Sequence, residues 1–315
     1  MDLQGIVDFL NGIIWSDFLV YLLLGTGIFF TVILKFPQVR LIKDMVSQMI
    51  SGDSSDSGVS SFQGFAMALG GRVGTGNIAG VATAIGVGGP GAVFWMWAIA
   101  FLGAGSAYIE SALAQVYKEE MDGEYRGGPS YYIEKGLGIK WFAVLFAISA
   151  VLGVGIFLPG VQANSIASSV GSAFGLSPYI TGAIVVGLLA TVVFGGTKRI
   201  GKVAEIIVPI MAIIYIIVAL VIIGVNITAL PDAFMLIIRS AFGADAAFGA
   251  IIGTAISWGV KRGIYSNEAG QGTGPMAAAA AEVSHPAKQG LVQAFSVYVD
   301  TLFVCSATAF MIIIT

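Results

Sequence analysis

Eight stretches of mostly apolar residues, each about as long as a bilayer is thick, fill most of this chain and leave it no way to fold as a water-soluble globule. At ~20 apolar residues per crossing, they fall at 15–34, 62–87, 92–116, 141–174, 179–194, 206–225, 248–281 and 291–314. Hydrophobic residues make up 57% of the chain and charged residues 10%, with a mean hydropathy of +0.91. A soluble domain usually carries about a quarter charged residues. The chain therefore reads as an all-α polytopic membrane protein, because a helix satisfies its own backbone hydrogen bonds in lipid. The first stretch has Asp2 and Asp8 and no basic leader, so it reads as a retained helix rather than a cleaved signal. A Ser/Asp/Gly run over 51–57 reads as a loop.

Composition also removes several kinds of chemistry. One cysteine, Cys305, and one histidine, His285, exclude a disulfide framework and a Cys/His zinc site, and they leave few nucleophiles or bases for an enzyme. A net charge of -3 without a basic run argues against nucleic acid. The glycine-rich run from Gly71 to Gly76 lacks the lysine and serine of a phosphate loop and a strand before it, so a nucleotide reading fails. No organic cofactor is expected.

Loop charge orients the helices. Connectors after the first, third, fifth and seventh stretches hold Lys35, Arg40, Lys43, Lys118, Arg126, Lys135, Lys140, Lys198, Arg199, Lys202 and Lys288, eleven of the fifteen basic residues. The remaining connectors hold only Arg239. The positive-inside rule places the former in the cytoplasm and the N-terminus outside, in a multi-pass protein of the cell membrane.

Glycine and polar residues interrupt two of the stretches, at 70–77 (GGRVGTGN) and at 257–263 (SWGVKRG). A helix in lipid gives up backbone bonds where a ligand or ion takes them. The second stretch runs outward and the seventh inward, five stretches apart, as an inverted repeat of five helices would require, each repeat beginning with a broken helix. The organisation read from this is an extra N-terminal helix and connector over 1–60, a first repeat over 61–226 and a partial second repeat over 227–315. The chain ends within apolar sequence at Thr315, so three helices of the second repeat are expected to be absent from it.

The first break suits an anion and a cation together. Unwinding at its glycines exposes the amides of Gly74, Thr75, Gly76 and Asn77 at the start of a half-helix, where the dipole favours a carboxylate. Freed carbonyls of Gly70 and Val73, with the side-chain oxygen of Asn77, suit Na⁺, a hard cation. The alternative is that the glycines serve close helix packing. At the second break, carbonyls near Gly253, Thr254 and Ser257 are expected to accept a substrate ammonium. The Thr254 hydroxyl is in reach of substrate or cation, and Trp258 is expected to wall the pocket against large side chains, unless it is an ordinary packed aromatic.

Each charge at membrane depth costs ~2.5–3.5 kcal/mol on insertion scales and so needs a reason. Arg72 or Arg262 is expected to pair with Glu268, Glu110 or Glu205 as a cytoplasmic gate, or as a purely structural pair. Asp300, mid-helix, is expected to ligate a cation or balance an arginine. Gln162 and Asn164 line the cavity or hold helices together.

Three motifs carry a family resemblance: GGPGAVFWMWAIAFLG at 88–103, GNIAG at 76–80 and SNEAG at 266–270. They resemble the signatures of the alanine/glycine:cation symporters, and the likeness runs through essentially the whole chain. The resemblance implies a leucine-transporter-like fold whose broken first and sixth core helices hold an amino acid and sodium. It also implies sodium-coupled uptake of alanine or glycine across the bilayer by alternating access. Rival readings are a proton-coupled amino-acid transporter, with Glu110, Glu205, Glu268 or Asp300 titrating, and an ion channel.

Overall fold

The computed structural model describes residues 3–50, 57–243 and 249–315. Except for Ser57, the loop expected over 51–57 lies outside the described residues, as does the first residue of the seventh stretch. The chain opens with α1 (Leu3–Ile14), α2 (Asp17–Ile33), a short α3 (Pro37–Arg40) and α4 (Ile42–Ile50). The second stretch is split into α5 (Ser61–Arg72) and α6 (Gly76–Gly88), followed by α7 (Gly91–Val116). A hairpin of β1 (Glu119–Met121) and β2 (Glu124–Arg126) leads to α8 (Pro129–Leu137) and the long α9 (Lys140–Phe174). Then come α10 (Pro178–Val193), α11 (Gly196–Val225) and α12 (Leu230–Ala241). The seventh stretch is again split, into α13 (Gly249–Asn267) and α14 (Thr273–Ala280), before the final α15 (Pro286–Ile314).

Among the described residues, five helical runs are long and apolar enough to cross a membrane: Gln4–Ile33, Gly91–Val116, Lys140–Phe174, Gly196–Val225 and Pro286–Ile314. The other three stretches read from the sequence correspond to the two split helices and to the sixteen-residue α10. α11 begins ten residues before the apolar stretch, so Lys198, Arg199, Lys202 and Glu205 are helical rather than loop.

Small residues let the central helices approach closely, as expected where lipid offers no hydrophobic drive for helices to associate and close packing must hold them. Ala100, Ala104 and Ala107 of α7 pack with Ala294 and Val297 of α15, and α7 touches α13, α14, α2 and α12 as well. α7 and α13 run in the same direction: a Cβ on Gly259 would collide with the carbonyl of Ala92, and one on Gly263 would lie 3.2 Å from Met96 Cα. Gly103 faces Ala269 further along.

The two split helices lie antiparallel. Gly76 at the start of α6 sits against Ser266 near the end of α13, and Gly88 at the end of α6 sits against Trp258. α5 and α14 repeat the relation, with Gly64 against Ala281 and Arg72 against Gly274.

The second break does not fall at 257–263. α13 is helical without interruption to Asn267, and the chain leaves the helix over 268–272 instead. Gly259 and Gly263, four residues apart on one face, serve the packing against α7 rather than unwinding. The true interruption carries positive φ at Glu268 (54°), Gly270 (85°) and Gly272 (87°). A run of left-handed residues cannot continue a right-handed helix, and glycine carries most of that conformation at no steric cost.

At one end of the bundle, the β1–β2 hairpin packs against the start of α11 and against α14. Glu124 accepts from the amide and hydroxyl of Thr197 at 3.0 and 2.8 Å, holding the start of α11. Lys118 Nζ donates to the carbonyl of Ala281 at 2.8 Å, and Val59 pairs with Ala281 as an isolated bridge. Burial lowers the Lys118 pKa from its ordinary value, against the opposing charge of Glu282.

Candidate functional site

Helix α5 starts at a capping box. The Ser60 hydroxyl accepts the Gln63 amide at 3.1 Å, and the Gln63 side chain accepts the Ser60 amide at 3.0 Å. It stops at Val73, whose ψ of 103° is extended, and the chain resumes as a π-helical turn over Gly76–Gly80. Such turns are rare and recur at functional sites because they leave the regular ladder incomplete.

The amides freed here point to side-chain oxygens. Gly74 N–H donates to Asn77 Oδ1 at 2.8 Å, and Thr75 N–H donates to Gln162 Oε1 of α9 at 3.1 Å. A Cβ at 74 would lie 2.7 Å from the Gln162 carboxamide, so that side chain would have to shift. The Gln162 oxygen thus occupies the place where the sequence put a carboxylate oxygen. The Thr75 hydroxyl is buried with no partner among the described residues, an arrangement that costs free energy unless a ligand or water completes it. Gly70 faces Val208 of α11, and Val73 N–H closes α5 on Leu69 O at 2.8 Å.

The second break faces the first. Glu268 Oε2 lies 3.9 Å from where a Cβ on Gly71 would stand. Its carboxylate accepts the Thr273 hydroxyl at 2.5 Å, and Glu110 of α7 accepts the Gly270 amide at 3.0 Å, so two buried carboxylates brace the non-helical loop.

Asp300 joins both breaks. It is fully buried in a second π-helical turn, Val299–Cys305, within α15. Its carboxylate accepts Asn77 Nδ2 at 2.7 Å from the first broken helix and the Ser266 hydroxyl at 2.9 Å from the second, besides the Thr301 hydroxyl at 2.8 Å. Asn77 and Ser266 also contact Cys305 Sγ at 3.3 and 3.2 Å.

Arg72, 2% exposed, lies beside them. Its Nη1 donates to Gln293 and Ser296 of α15, while Nε and Nη2 have no partner among the described residues. Among the described residues no carboxylate comes within 4.0 Å of it, though the charges of Glu268, Asp300 and Glu110 act on it, Glu268 most. One buried guanidinium therefore faces three buried carboxylates, a deficit of positive charge that a bound cation or protons must offset.

The other expected site residues lie elsewhere. Thr254 and Trp258 sit against Gly88, a full length of α6 from Gly76. Gly253, Thr254, Ser257 and Trp258 line a cavity of about 350 Å³ with Asp17 and Tyr21 of α2. Arg262 stacks on Trp258 and Tyr265, with its guanidinium carbon 5.1 and 5.9 Å from their ring centres. It makes no ion pair among the described residues. Asn164 is exposed.

Sequence reasoning missed Ser266, Asn267, Thr301, Gln293 and Ser296. The signal for the first two was present in the polar run at 266–274 (SNEAGQGTG), denser in glycine than 257–263. Among the described residues, no three His, Cys, Asp or Glu side chains converge as a metal cluster. A hard monovalent cation needs only oxygen ligands, and the Asp300 carboxylate with the Ser266 and Thr301 hydroxyls beside it are such oxygens.

The family profile described as the sodium:alanine symporter family matches residues 1–315. The chain is 65% identical over 306 residues to YrbD of Bacillus subtilis, a relative named for sodium/proton-dependent alanine carriage, covering 97% of this chain and 63% of the relative. GlnT of the same organism, named for sodium/glutamine symport, is 49% identical, covering 99% of this chain and 66% of the relative. The sodium/alanine symporter AgcS of Methanococcus maripaludis is 46% identical, covering 100% of this chain and 71% of the relative. The chain thus spans about two thirds of the length of these relatives.

Proposed function

Since the chain belongs to the sodium:alanine symporter family, we propose that it forms part of a secondary transporter coupling inward Na⁺ flow to uptake of a small neutral amino acid, alanine or glycine. The observation that carries this reading is the buried Asp300 carboxylate, held at once by Asn77 and Ser266 from the two broken helices. A charge so placed senses any rearrangement of either break. Na⁺ takes its ligands from Asp300, the hydroxyls around it, Asn77 and the carbonyls freed at Gly70 and Val73.

The amino acid lies between the breaks. Its carboxylate takes the amides of Gly74, Thr75, Gly76 and Asn77 when Gln162 turns aside or donates with its own amide, and the Thr75 hydroxyl completes the contact. The ammonium meets carbonyls and carboxylates of the second break near Glu268. The antiparallel contacts between the split helices support an inverted repeat of the leucine-transporter kind. Residues 61–226 form its first half and 227–315 begin its second, preceded by an extra helix in 1–60. Alternating access rocks the broken helices against the rest, with Arg72 and Glu268 forming part of the gate. The protein works in the cell membrane with its N-terminus outside, has no organic cofactor and is not an enzyme.

Proton coupling is the second reading, favoured by the buried Glu110 and Glu268 at the break. Alanine uptake into vesicles bearing the full-length protein separates the two. Stimulation by a Na⁺ gradient at fixed pH supports sodium coupling. Stimulation by a pH gradient alone, with none by Na⁺, contradicts it.

A further inference from the structure

We propose that the cavity between α1 and α13 binds the phosphodiester headgroup of an anionic phospholipid. This cavity, about 410 Å³, is lined by Asn11, Trp15, Trp258, Lys261, Arg262 and Tyr265, of which Tyr265 also stands beside Gly76 of the first break.

Its charge is unbalanced from within. Lys261 and Arg262 are adjacent and half-buried, and among the described residues neither has a carboxylate within 4.0 Å or a hydrogen-bond acceptor. On the facing helices, Asp8 accepts from Gln4 at 2.9 Å, and Asp17 lines the neighbouring cavity. The Trp258 and Tyr265 rings hold the Arg262 guanidinium by cation–π contact, with its carbon 5.1 and 5.9 Å from their centres, which leaves its N–H groups for an acceptor.

The surroundings select a lipid over a small soluble anion. Leu10, Ile13, Ile14 and Phe18 flank Asn11 and Trp15 as exposed apolar side chains, a surface on which acyl chains lie while the phosphate reaches the cations. Trp and Tyr around a basic pocket between helices are what the headgroup level of a bilayer favours. Lys261 and Arg262 hold the phosphate, Asn11 donates to a glycerol oxygen, and the aromatics exclude water from the pair. A bound lipid would also fasten α1 to α13, so that occupancy bears on motion of the second broken helix.

Native mass spectrometry of the full-length protein, equilibrated with phosphatidylglycerol or phosphatidylcholine, tests this directly. Wild-type protein should retain phosphatidylglycerol preferentially. Lys261→Gln with Arg262→Gln should reduce retention about tenfold or more, whereas Lys43→Gln with Lys288→Gln should not. Equal retention of the two lipids by wild-type protein overturns the proposal even if the double variant fails to fold, as does equal loss in the two double variants. Displacement of phosphatidylglycerol by millimolar inorganic phosphate, or by alanine, overturns it in favour of a soluble-anion site or a stage of the transport path.

Discussion

The side-chain amide of Asn77 donates to the carboxylate of Asp300 at 2.7 Å across 223 positions of chain, joining the first broken helix to the π-helical turn of the last. Ser266 reaches the other carboxylate oxygen from the second broken helix at 2.9 Å. The two interruptions are thus held by one buried charge, and anything that alters that charge acts on both.

Gly76→Val should separate them. A Cβ at Gly76 would lie 3.0 Å from the backbone Cα of Ser266, which unlike a side-chain tip cannot swing away. Alanine affinity, read by calorimetric titration, is expected to fall at least about tenfold, or about 1.4 kcal/mol. Unchanged affinity would mean the contact between breaks is only structural.

Arg72→Met leaves Glu110, Glu268 and Asp300 without their buried cation. The three carboxylates then lack its attraction, so the thermal midpoint in detergent should drop and uptake should be lost. Raising Na⁺ should recover part of the midpoint if the ion occupies the same field.

Trp258→Ala is expected to leave selection of alanine over leucine unchanged, because Trp258 packs against Gly88 rather than beside Gly74–Asn77. Competition of alanine uptake by leucine measures this. Leucine transport by the variant would return Trp258 to the pocket wall.

Lys118, just before the β1–β2 hairpin, supplies a pH signature. Burial depresses its folded pKa below the unfolded value, so between the two the unfolded chain binds more protons and stability rises with pH. Below the folded pKa, the cost of burying the charge is present in full. Thermal midpoints from about pH 8 to about pH 11 should therefore show a stabilising contribution in wild-type protein that Lys118→Met lacks.

The first break was legible because its glycines are interleaved with Arg72, Thr75 and Asn77, residues that packing alone does not call for. Asp300 was legible for a similar reason, as a lone charge in the middle of an apolar helix. The second break was misplaced because glycines four apart mark either close packing or unwinding. Gly259 and Gly263 proved to be packing glycines, and what distinguishes 268–272 is backbone φ, which has no direct trace in residue type at Glu268. The partners of Asp300 were hidden for another reason. Ser266 is 34 positions away, and only the crossing of α13 with α15 brings its hydroxyl to the carboxylate.

Calorimetric titration of alanine into the full-length protein, with and without Na⁺, in wild-type and Asp300→Asn forms, tests the central claim. The substitution keeps the shape and removes the charge that both breaks share. Na⁺ should tighten alanine binding about tenfold or more in wild-type protein, a coupling of about 1.4 kcal/mol, and should have no such effect in the variant. An equal Na⁺ enhancement in both would contradict the assignment of Asp300 as the charge through which ion and amino acid are coupled.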